Sequence, residues 1–482
     1  MLDTTAESTG ATSADDRLPS WWGWVVLGVV TLVVFATWLP HMDLPLGDSS
    51  EGRVLARFGL HVQNFWTLGA SESAYATSMR PYVFSSNYAH HPPFSNLFEV
   101  ATSAVAGQGE WQLRLYGYVA GLATPWLLAA VLRQLRFRWG PTLLAVGLMV
   151  STNFYWVYDR VGGGFAAMLA LTALVIYLRR EATPSGWMVV LGAVVAAIAV
   201  MTSWPSAAAA ALLGLWLLAG RGIDRVTITV GVAMAAGVAF TGAWILNATD
   251  LAELQSQTEL RTGGGFTWPE FVRRQWRRAT ELTPSWYRVI MFPALAAGFA
   301  DKRSRWPAIL LFMPPFVWTF GGREGAFNHE FWNLPWMAAI GVGTAALLDA
   351  IRRWLGPRLV QLAAAGLGIV LAVSFASIVR GQTYDIYLGL PTDAGALVRD
   401  VGPPAGQQQA FVIENLGAPR WAAFYWGLRP VSVTEDNIDT IPGDDLVVIR
   451  ANLLPDWVPE EALDSVVAAR GRYALVPARA LR

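Results

Sequence analysis

The sequence predicts an all-α polytopic membrane protein of about eleven transmembrane helices, ending in a small extracytoplasmic α/β domain. Three observations predict it. The 482 residues are 54% hydrophobic and only 15% charged, against about 25% in an average soluble protein, too little charge to cover several soluble globules. Apolar runs of about the 20 residues a bilayer requires recur along most of the chain. Over residues 383–482 the pattern changes to short β-branched runs between helix-like stretches. The 24 Trp suit an aromatic belt at the membrane interfaces. This composition excludes intrinsic disorder, a collagen-like fibre and a disulfide scaffold for the whole chain, and the absence of Cys excludes thiolate chemistry. The zero formal net charge removes basicity as an argument for a nucleic-acid partner.

In chain order, residues 1–20 read as a disordered tail, rich in Ser, Thr and acidic groups. Trp21–Pro40 is the first span, an anchor rather than a signal peptide because no small-residue cleavage site follows a short apolar core. Further apolar stretches lie near 113–132, 141–158, 161–178, 186–202, 205–220, 226–246, 286–300, 306–320, 331–349 and 359–379. Alternate connections carry Arg133/Arg136/Arg138, Arg179/Arg180, Arg221/Arg225, Lys302/Arg303/Arg305 and Arg352/Arg353/Arg358. The positive-inside rule puts all of them, and the N-terminus, in the cytoplasm. Residues 41–112, 247–285 and 383–482 are then extracytoplasmic, with residues 21–382 forming the transmembrane domain. In the tail, Ala410–Glu414, Val431–Thr434 and Leu446–Arg450 read as strands, and Pro419–Leu428 and Pro459–Ala469 as helices.

Polar chemistry concentrates outside. Asp48-Ser49-Ser50-Glu51 opens a helical pattern with Leu55, Phe58, Val62, Phe65 and Trp66 on one face. One reading makes Asp48 an N-cap with Glu51 three positions on; the other makes a carboxylate beside the membrane a general base, kept ionised by backbone N–H groups and Arg53. The two are compatible. His41, His61, His90 and His91 are four of the five histidines in the chain and share this one loop. The run His90-His91-Pro92-Pro93 either binds a phosphate or a divalent metal through imidazole, or is a Pro-stiffened turn facing headgroups.

In the second outer segment, Gly263-Gly264-Gly265 leads into Thr267-Trp268-Pro269-Glu270, a helix start. The helix then sets Trp268, Phe271, Val272, Trp276 and Ala279 against Arg273, Arg274, Arg277 and Arg278. A basic cluster outside either awaits an anionic partner such as a lipid-linked phosphate or an anionic glycan, or anchors the helix to anionic lipids. Asp159-Arg160 marks a short outer hairpin, and His329-Glu330 abuts an apolar span, where ionisable groups tend to be functional.

Asp48 to Arg53 after the first span, His91-Pro92-Pro93 before a helix, Gln112-Leu113-Arg114-Leu115 opening the next span, and His329-Glu330-Phe331-Trp332 ahead of Leu334-Pro335 together resemble the type C glycosyltransferases that use polyprenyl-phosphate sugars. More narrowly, they are similar to the branch of the lipid A aminoarabinose transferase and the protein O-mannosyltransferases. The resemblance implies a type C glycosyltransferase-like fold and an inverting transfer from a polyprenyl-phosphate sugar donor to an acceptor hydroxyl at the outer face of the plasma membrane. The acceptor would be a glycan, a lipid-linked saccharide or a protein, and the surroundings membrane lipids. The resemblance puts the catalytic base at Asp48 or Glu51, and it gives His90 the place of a metal- and phosphate-site residue, with a divalent metal ion as the implied cofactor. Arg160 and His91 would contact donor phosphate or sugar, as would Arg273, Arg274, Arg277, Arg278, His329 and Glu330. A second class, a transporter or flippase of a polyprenyl-linked saccharide, would put ionisable residues in mid-span. The spans are nearly free of them, which favours an enzyme.

Overall fold

A computed structural model describes residues 21–82, 91–355, 357–380, 392–416 and 419–482. The predicted tail 1–20, His90 and the first residues of the C-terminal region lie outside them. Each of the eleven apolar stretches contains a helix: α1 (Trp22–Trp38), α4 (Glu110–Gln134), α5 (Trp139–Val150), α7 (Gly164–Arg180), α8 (Gly186–Thr202), α9 (Trp204–Arg221), α10 (Arg225–Ala248), α13 (Ser285–Ala300), α14 (Arg305–Gly321), α16 (Trp336–Trp354) and α17 (Pro357–Val379). Among the described residues, Trp22–His41, Glu110–Gln134 and Arg225–Ala248 are each long and apolar enough to cross a bilayer alone. Trp139–Val150, Gly186–Thr202 and Leu362–Ile378 are shorter apolar helices. Prolines break the pattern inside α13 (Pro293) and α14 (Pro314, Pro315), and a π-helical turn, Tyr155–Asp159, follows α5.

The helices pack around a core that includes Trp38, Leu128, Phe137, Trp156 and Leu311, each at most 1% exposed. Small residues set the closest approach. A Cβ on Gly343 of α16 would lie 2.1 Å from the Ala294 carbonyl oxygen of α13, so these two backbones touch, as small residues allow between membrane helices.

The basic connections gather at one end of the bundle. Arg303 bonds Asp301 and Asp349, each at 2.7 Å, and lies over the Phe137 ring, 4.4 Å from its centroid. Arg221 donates to the carbonyls of Leu178 and Glu181. The cavity described below is built from the opposite helix ends.

The first segment predicted to be outer supplies α2 (Ser50–Leu68) and α3 (Phe94–Ala106); the second supplies α11 (Leu251–Thr262) and α12 (Trp268–Leu282). One turn, α6 (Arg160–Gly162), and one short helix, α15 (Arg323–Asn328), complete the outer hairpins. The predicted N-cap of α2 moves by one residue. Ser49, not Asp48, caps the helix, its hydroxyl accepting from Gly52 N at 2.8 Å, and Asp48 is drawn instead to Arg53 at 2.5 Å. Helix α12 starts as its sequence predicts, with a Thr267–Glu270 capping box and Pro269 in the first turn.

The C-terminal part holds α18 (Thr392–Val401), α19 (Arg420–Trp426) and five strands: β1 (Gln409–Ile413), β2 (Arg429–Val433), β3 (Leu446–Arg450), β4 (Ala468–Arg470) and β5 (Tyr473–Pro477). The sheet order is β2-β1-β3-β5-β4. β1 runs parallel to β2 and β3, and β5 antiparallel to β3 and β4. The three strands read from the sequence are β1, β2 and β3. The stretch read as a helix over Pro459–Ala469 is a 3₁₀ segment, Glu460–Ser465, leading into β4. Pro459 opens it, and no apolar face of helical period follows to stabilise a longer helix.

This sheet does not bury its apolar face within its own residues. Leu46, Leu55, Phe58, Val62, Val100 and Leu113 of the outer loop and α4 share one core with Val398, Phe411, Trp421, Trp426 and Leu475. The amphipathic face of α2 predicted from Leu55, Phe58 and Val62 is therefore covered by the C-terminal part rather than by lipid. At about 25 cal/mol per Å² of apolar surface, burying this face favours a fixed seat for the C-terminal part.

Candidate active site

Where the N-terminal turns of α2 and α3 meet the outer hairpins, they enclose a cavity of about 520 Å³. Its wall is apolar at Tyr158, Phe165, Met168, Trp204, Trp318 and Trp332. Trp318 and Trp332 stack at 4.4 Å between ring centroids. Into this wall project Glu51, Arg53, Arg57, His91, Arg261, His329 and Arg420. Such a lining, an apolar surface with a few convergent charged groups, is that of a ligand site.

The two candidate carboxylates part company here. Glu51 lies in the first turn of α2, lines the cavity and is 6% exposed. Arg114 of α4, itself 3% exposed, donates its Nε to Glu51 Oε1 at 3.0 Å. The Nη1 of Arg114 is spent on the carbonyls of Met42 and Leu44, at 3.0 and 2.6 Å. A guanidinium pinned on both sides holds its carboxylate in place. Asp48 is not part of the cavity wall. Burial pushes its carboxyl up; Arg53 beside it, then Arg450 and the Tyr473 hydroxyl of the sheet, pull it back. Asp48 thus faces the C-terminal part, and Glu51 the cavity.

The other predicted residues separate in the same way. His91 and His329 line the cavity. Arg160 opens α6, whose next residues, Val161 and Gly162, also line it, and Glu330 begins the 3₁₀ turn Glu330–Asn333 just before α16. None of Arg273, Arg274, Arg277 and Arg278 is in the cavity wall. Arg277 pairs with Glu281 at 2.7 Å in the open, and Arg274 sits over the Phe327 ring at 5.5 Å from its centroid. Arg278 turns inward, 3% exposed, and donates to the Ala326 carbonyl. This side of α12 holds α15 in place.

Three arginines on the cavity wall lie outside the sequence-derived set: Arg57, Arg261 and Arg420. Arg57 was within reach of sequence reasoning, since it stands four residues after Arg53 on the same helix face as the carboxylate turn. Arg261 ends α11, and Arg420 starts α19, more than 300 residues from α2. Only the tertiary fold brings those two in.

Beneath the cavity the outer segment holds its helices with neutral polar groups. His61, 1% exposed, takes a hydrogen bond from Asn96 at 2.9 Å, and Asn96 also donates to the Ala76 carbonyl at 2.6 Å. Burial, with Arg57 and Arg420 nearby, drives His61 well below its ordinary value, so it is neutral. Burial likewise raises Glu99 well above the carboxylate range, against the Gln112 amide that bonds it at 2.7 Å. At the hairpin between α5 and α7, Asp159 is 1% exposed, with the Thr124 hydroxyl beside its carboxyl pulling against burial. Burial pushes it up to about 7.

Among the described residues no group of three His, Asp or Glu side chains is placed to hold a metal ion. Of the residues near the implied metal site, Glu51 is bonded to Arg114, and His90 lies outside the described residues. The cations on the cavity wall are Arg53, Arg57, Arg261 and Arg420.

No protein-family model and no curated protein matches the sequence. Solved structures do match the fold. The ArnT protein of Cupriavidus metallidurans, solved with bound undecaprenyl phosphate, superposes with a TM-score of 0.55 at 14% identity, over 95% of this chain and 98% of that one. Its apo form gives 0.55 at 15% identity, over 96% and 99%. The oligosaccharyltransferase of Archaeoglobus fulgidus gives 0.51 at 12% identity, over 90% of this chain and 70% of that one.

Proposed function

We propose, from the type C glycosyltransferase fold that this chain has, that it transfers a sugar from a polyprenyl-phosphate donor to an acceptor hydroxyl at the outer face of the plasma membrane. Its N-terminus is then cytoplasmic, and its C-terminal domain, residues 383–482, extracytoplasmic. The observation that carries the reading is Glu51: a carboxylate at the wall of an outer cavity, fixed by Arg114 and surrounded by arginines. The solved relatives' lipid carriers support a lipid-linked donor.

In the reaction the acceptor O–H gives its proton to Glu51 as the oxygen attacks the anomeric carbon. The bond from that carbon to the phosphate oxygen breaks, and polyprenyl phosphate leaves with the electron pair. Arg261, Arg53 and His329, which line the same cavity, supply donors to the developing phosphate charge in this reading, and Arg53 is oriented by its bond to Asp48. A single displacement of this kind inverts the anomeric centre. Trp318 and Trp332 offer a flat apolar wall to the sugar or the first isoprene units.

The test is transfer of labelled sugar from a panel of polyprenyl-monophosphate sugars in proteoliposomes, with a membrane extract as acceptor source. Glu51→Gln is expected to lower kcat by about 100-fold or more, the usual size of a general-base contribution. Asp48→Asn is expected to lower it less. Full activity in Glu51→Gln, with loss confined to Asp48→Asn, would move the base to Asp48.

A further inference from the structure

A second cavity, of about 360 Å³, lies in the C-terminal part and shares no lining residue with the first. It is built on one face of β1 and β2. Gln409 and Phe411 stand two residues apart on that face, as strand alternation requires, and Val431 is the parallel partner of Phe411. Gly406, Gln408 and Asp445, with Asn437 and the residues from Thr440 to Pro442, complete the wall. That last stretch follows from the 3₁₀ turn Ile438–Thr440.

The wall is held in shape by groups that do not themselves face a ligand. Gln407, 5% exposed, spends its amide on the starts of two strands: Nε2 donates to the carbonyls of Gln409 at 2.6 Å and Leu446 at 3.1 Å, and Oε1 accepts from Leu446 N at 2.9 Å. This ties the segment before β1 to the segment before β3. The Asn437 side chain accepts from Thr434 N at 2.9 Å and donates to the Ser432 carbonyl at 2.8 Å, and Arg482 donates to the carbonyls of Ile438 and Ile441. Such prior ordering lowers the cost of binding.

The groups left open have a definite chemistry. Among the described residues, the Gln409 side-chain amide has no hydrogen-bond partner and the Asp445 carboxylate no cation. Asp444 is taken by Arg479, and partial burial, then Asp444, raise the Asp445 carboxyl with no cation to lower it. Gln408 uses Nε2 on the Gly406 carbonyl at 3.2 Å and keeps its amide oxygen; the Thr440 hydroxyl donates to the Asn437 carbonyl at 2.7 Å and keeps its lone pairs. The open set is thus a charged acceptor, an amide that both gives and takes, and two neutral acceptors, over an apolar floor of Phe411, Val431 and Ile441. Asp445 repels an anion. An ammonium has donors only and offers nothing to the Gln409 N–H groups. A neutral sugar meets both demands, since its hydroxyls give and take while its C–H face suits the floor.

We propose that this second cavity binds a neutral sugar unit, with Asp445 accepting from one hydroxyl and the Gln409 amide bonding its neighbour. In a chain that transfers sugar, the unit belongs to a glycan acceptor and is held by residues apart from those around Glu51. That role rests on the transfer reading; the binding itself does not.

The experiment uses the full chain in lipid nanodiscs with no donor present, and empty nanodiscs as the blank. Saturation-transfer NMR titrations measure the Kd of four probes: maltotriose, mannotriose, a galacturonic acid trimer and N-acetyl-lysine methylamide. At least one neutral trisaccharide is expected to bind about tenfold more tightly than the anionic and the cationic probe. Asp445→Asn and Gln409→Ala are each expected to weaken it about tenfold, the size of one lost hydrogen bond to a charged group or of one amide pair. Thr440→Val, at an exposed position, is expected to cost about threefold and keeps the test open if either of the first two unfolds. Glu51→Gln is expected to leave the affinity unchanged. No binding of either neutral trisaccharide, equal binding of all four probes, preference for the anion or the ammonium, indifference to the variants at 409, 440 and 445, or loss of binding in Glu51→Gln would each overturn the site. Saccharide binding that follows these expectations in a chain that transfers sugar from no donor is a different result, one that supports the cavity and strikes the transfer reading.

Discussion

Gly395→Ala is a one-methyl test of whether the C-terminal part must be seated for the site to work. A Cβ at position 395 in α18 would lie 1.5 Å from the Leu46 carbonyl oxygen. Non-bonded atoms need about 3 Å or more, so α18 has to retreat from the outer loop by roughly half that distance. Three contacts sit on the seam. The Tyr425 hydroxyl accepts from Leu46 N at 2.7 Å and donates to Glu110 at 2.9 Å, and Arg399 bonds the same Glu110 at 3.0 Å. The first two are worth about 1 and 1.5 kcal/mol. Arg399 is 40% exposed, and its exposed pair adds about 0.5 kcal/mol. Their loss, about 3 kcal/mol, shifts the docking equilibrium roughly 100-fold. Hydrogen exchange on the nanodisc-embedded protein measures it. Amides of α2 and α19 should exchange about 100-fold faster, while α13 and α16 keep their protection. Unchanged protection at α2 and α19 would refute the reasoning, since it would mean that the seam tolerates the methyl group.

Asp159→Asn keeps shape and removes a carboxyl that burial holds near 7 against an ordinary 3.8. Because the folded state binds that proton more tightly than the unfolded chain, wild-type stability falls as pH rises from about 4 to about 7. The variant should lack this slope and gain up to about 4 kcal/mol above pH 7, read from thermal unfolding at pH 5 and pH 8. His61 has the opposite sign: its lowered value makes stability fall as pH drops below about 6.5, and His61→Gln should flatten that acid limb. At the far end of the bundle, Arg303→Met leaves Asp301 and Asp349 without their shared partner. Because Arg352 stays 3.4 Å from Asp349 and Arg353 3.7 Å from Asp301, it should cost about 1 to 2 kcal/mol in unfolding assays in detergent, less than orphaning a buried charge outright.

What was legible in the sequence follows from where the information is local. The apolar stretches became helices because bilayer-length hydrophobicity is written into consecutive residues, and the Thr267 capping box because its parts stand three positions apart. Glu51 was visible as a carboxylate at a helix start. Its preference over Asp48 was not, because it depends on Arg114, 63 positions away, reaching back to one carboxylate while Arg53 and the sheet take the other. The arginines of α12 drew attention by their density, yet α12 aims its basic side at solvent, at Glu281 and at Ala326. The cations that do line the cavity are spread over α2, α11 and α19, and beyond the Arg53–Arg57 spacing on α2 no local pattern joins them. β5 was missed because a fully buried central strand shows no alternation to read.

The core shared by α2 and the C-terminal sheet also sets an order of events during synthesis. Helix α2 leaves the ribosome with Leu55, Phe58 and Val62 on one face, and the residues that cover that face in the finished protein begin at Thr392, roughly 320 residues later. At about 5 to 20 residues per second this is an interval of about 20 to 60 s. Through it the bilayer surface is the only nearby solvent for the exposed stripe, which makes α2 a temporary guest of the headgroup region. The cavity is assembled last, when the end of the chain lifts α2 off the lipid, so a ribosome that stops short of residue 420 releases a chain with its apolar helices in place and its cavity wall unfinished.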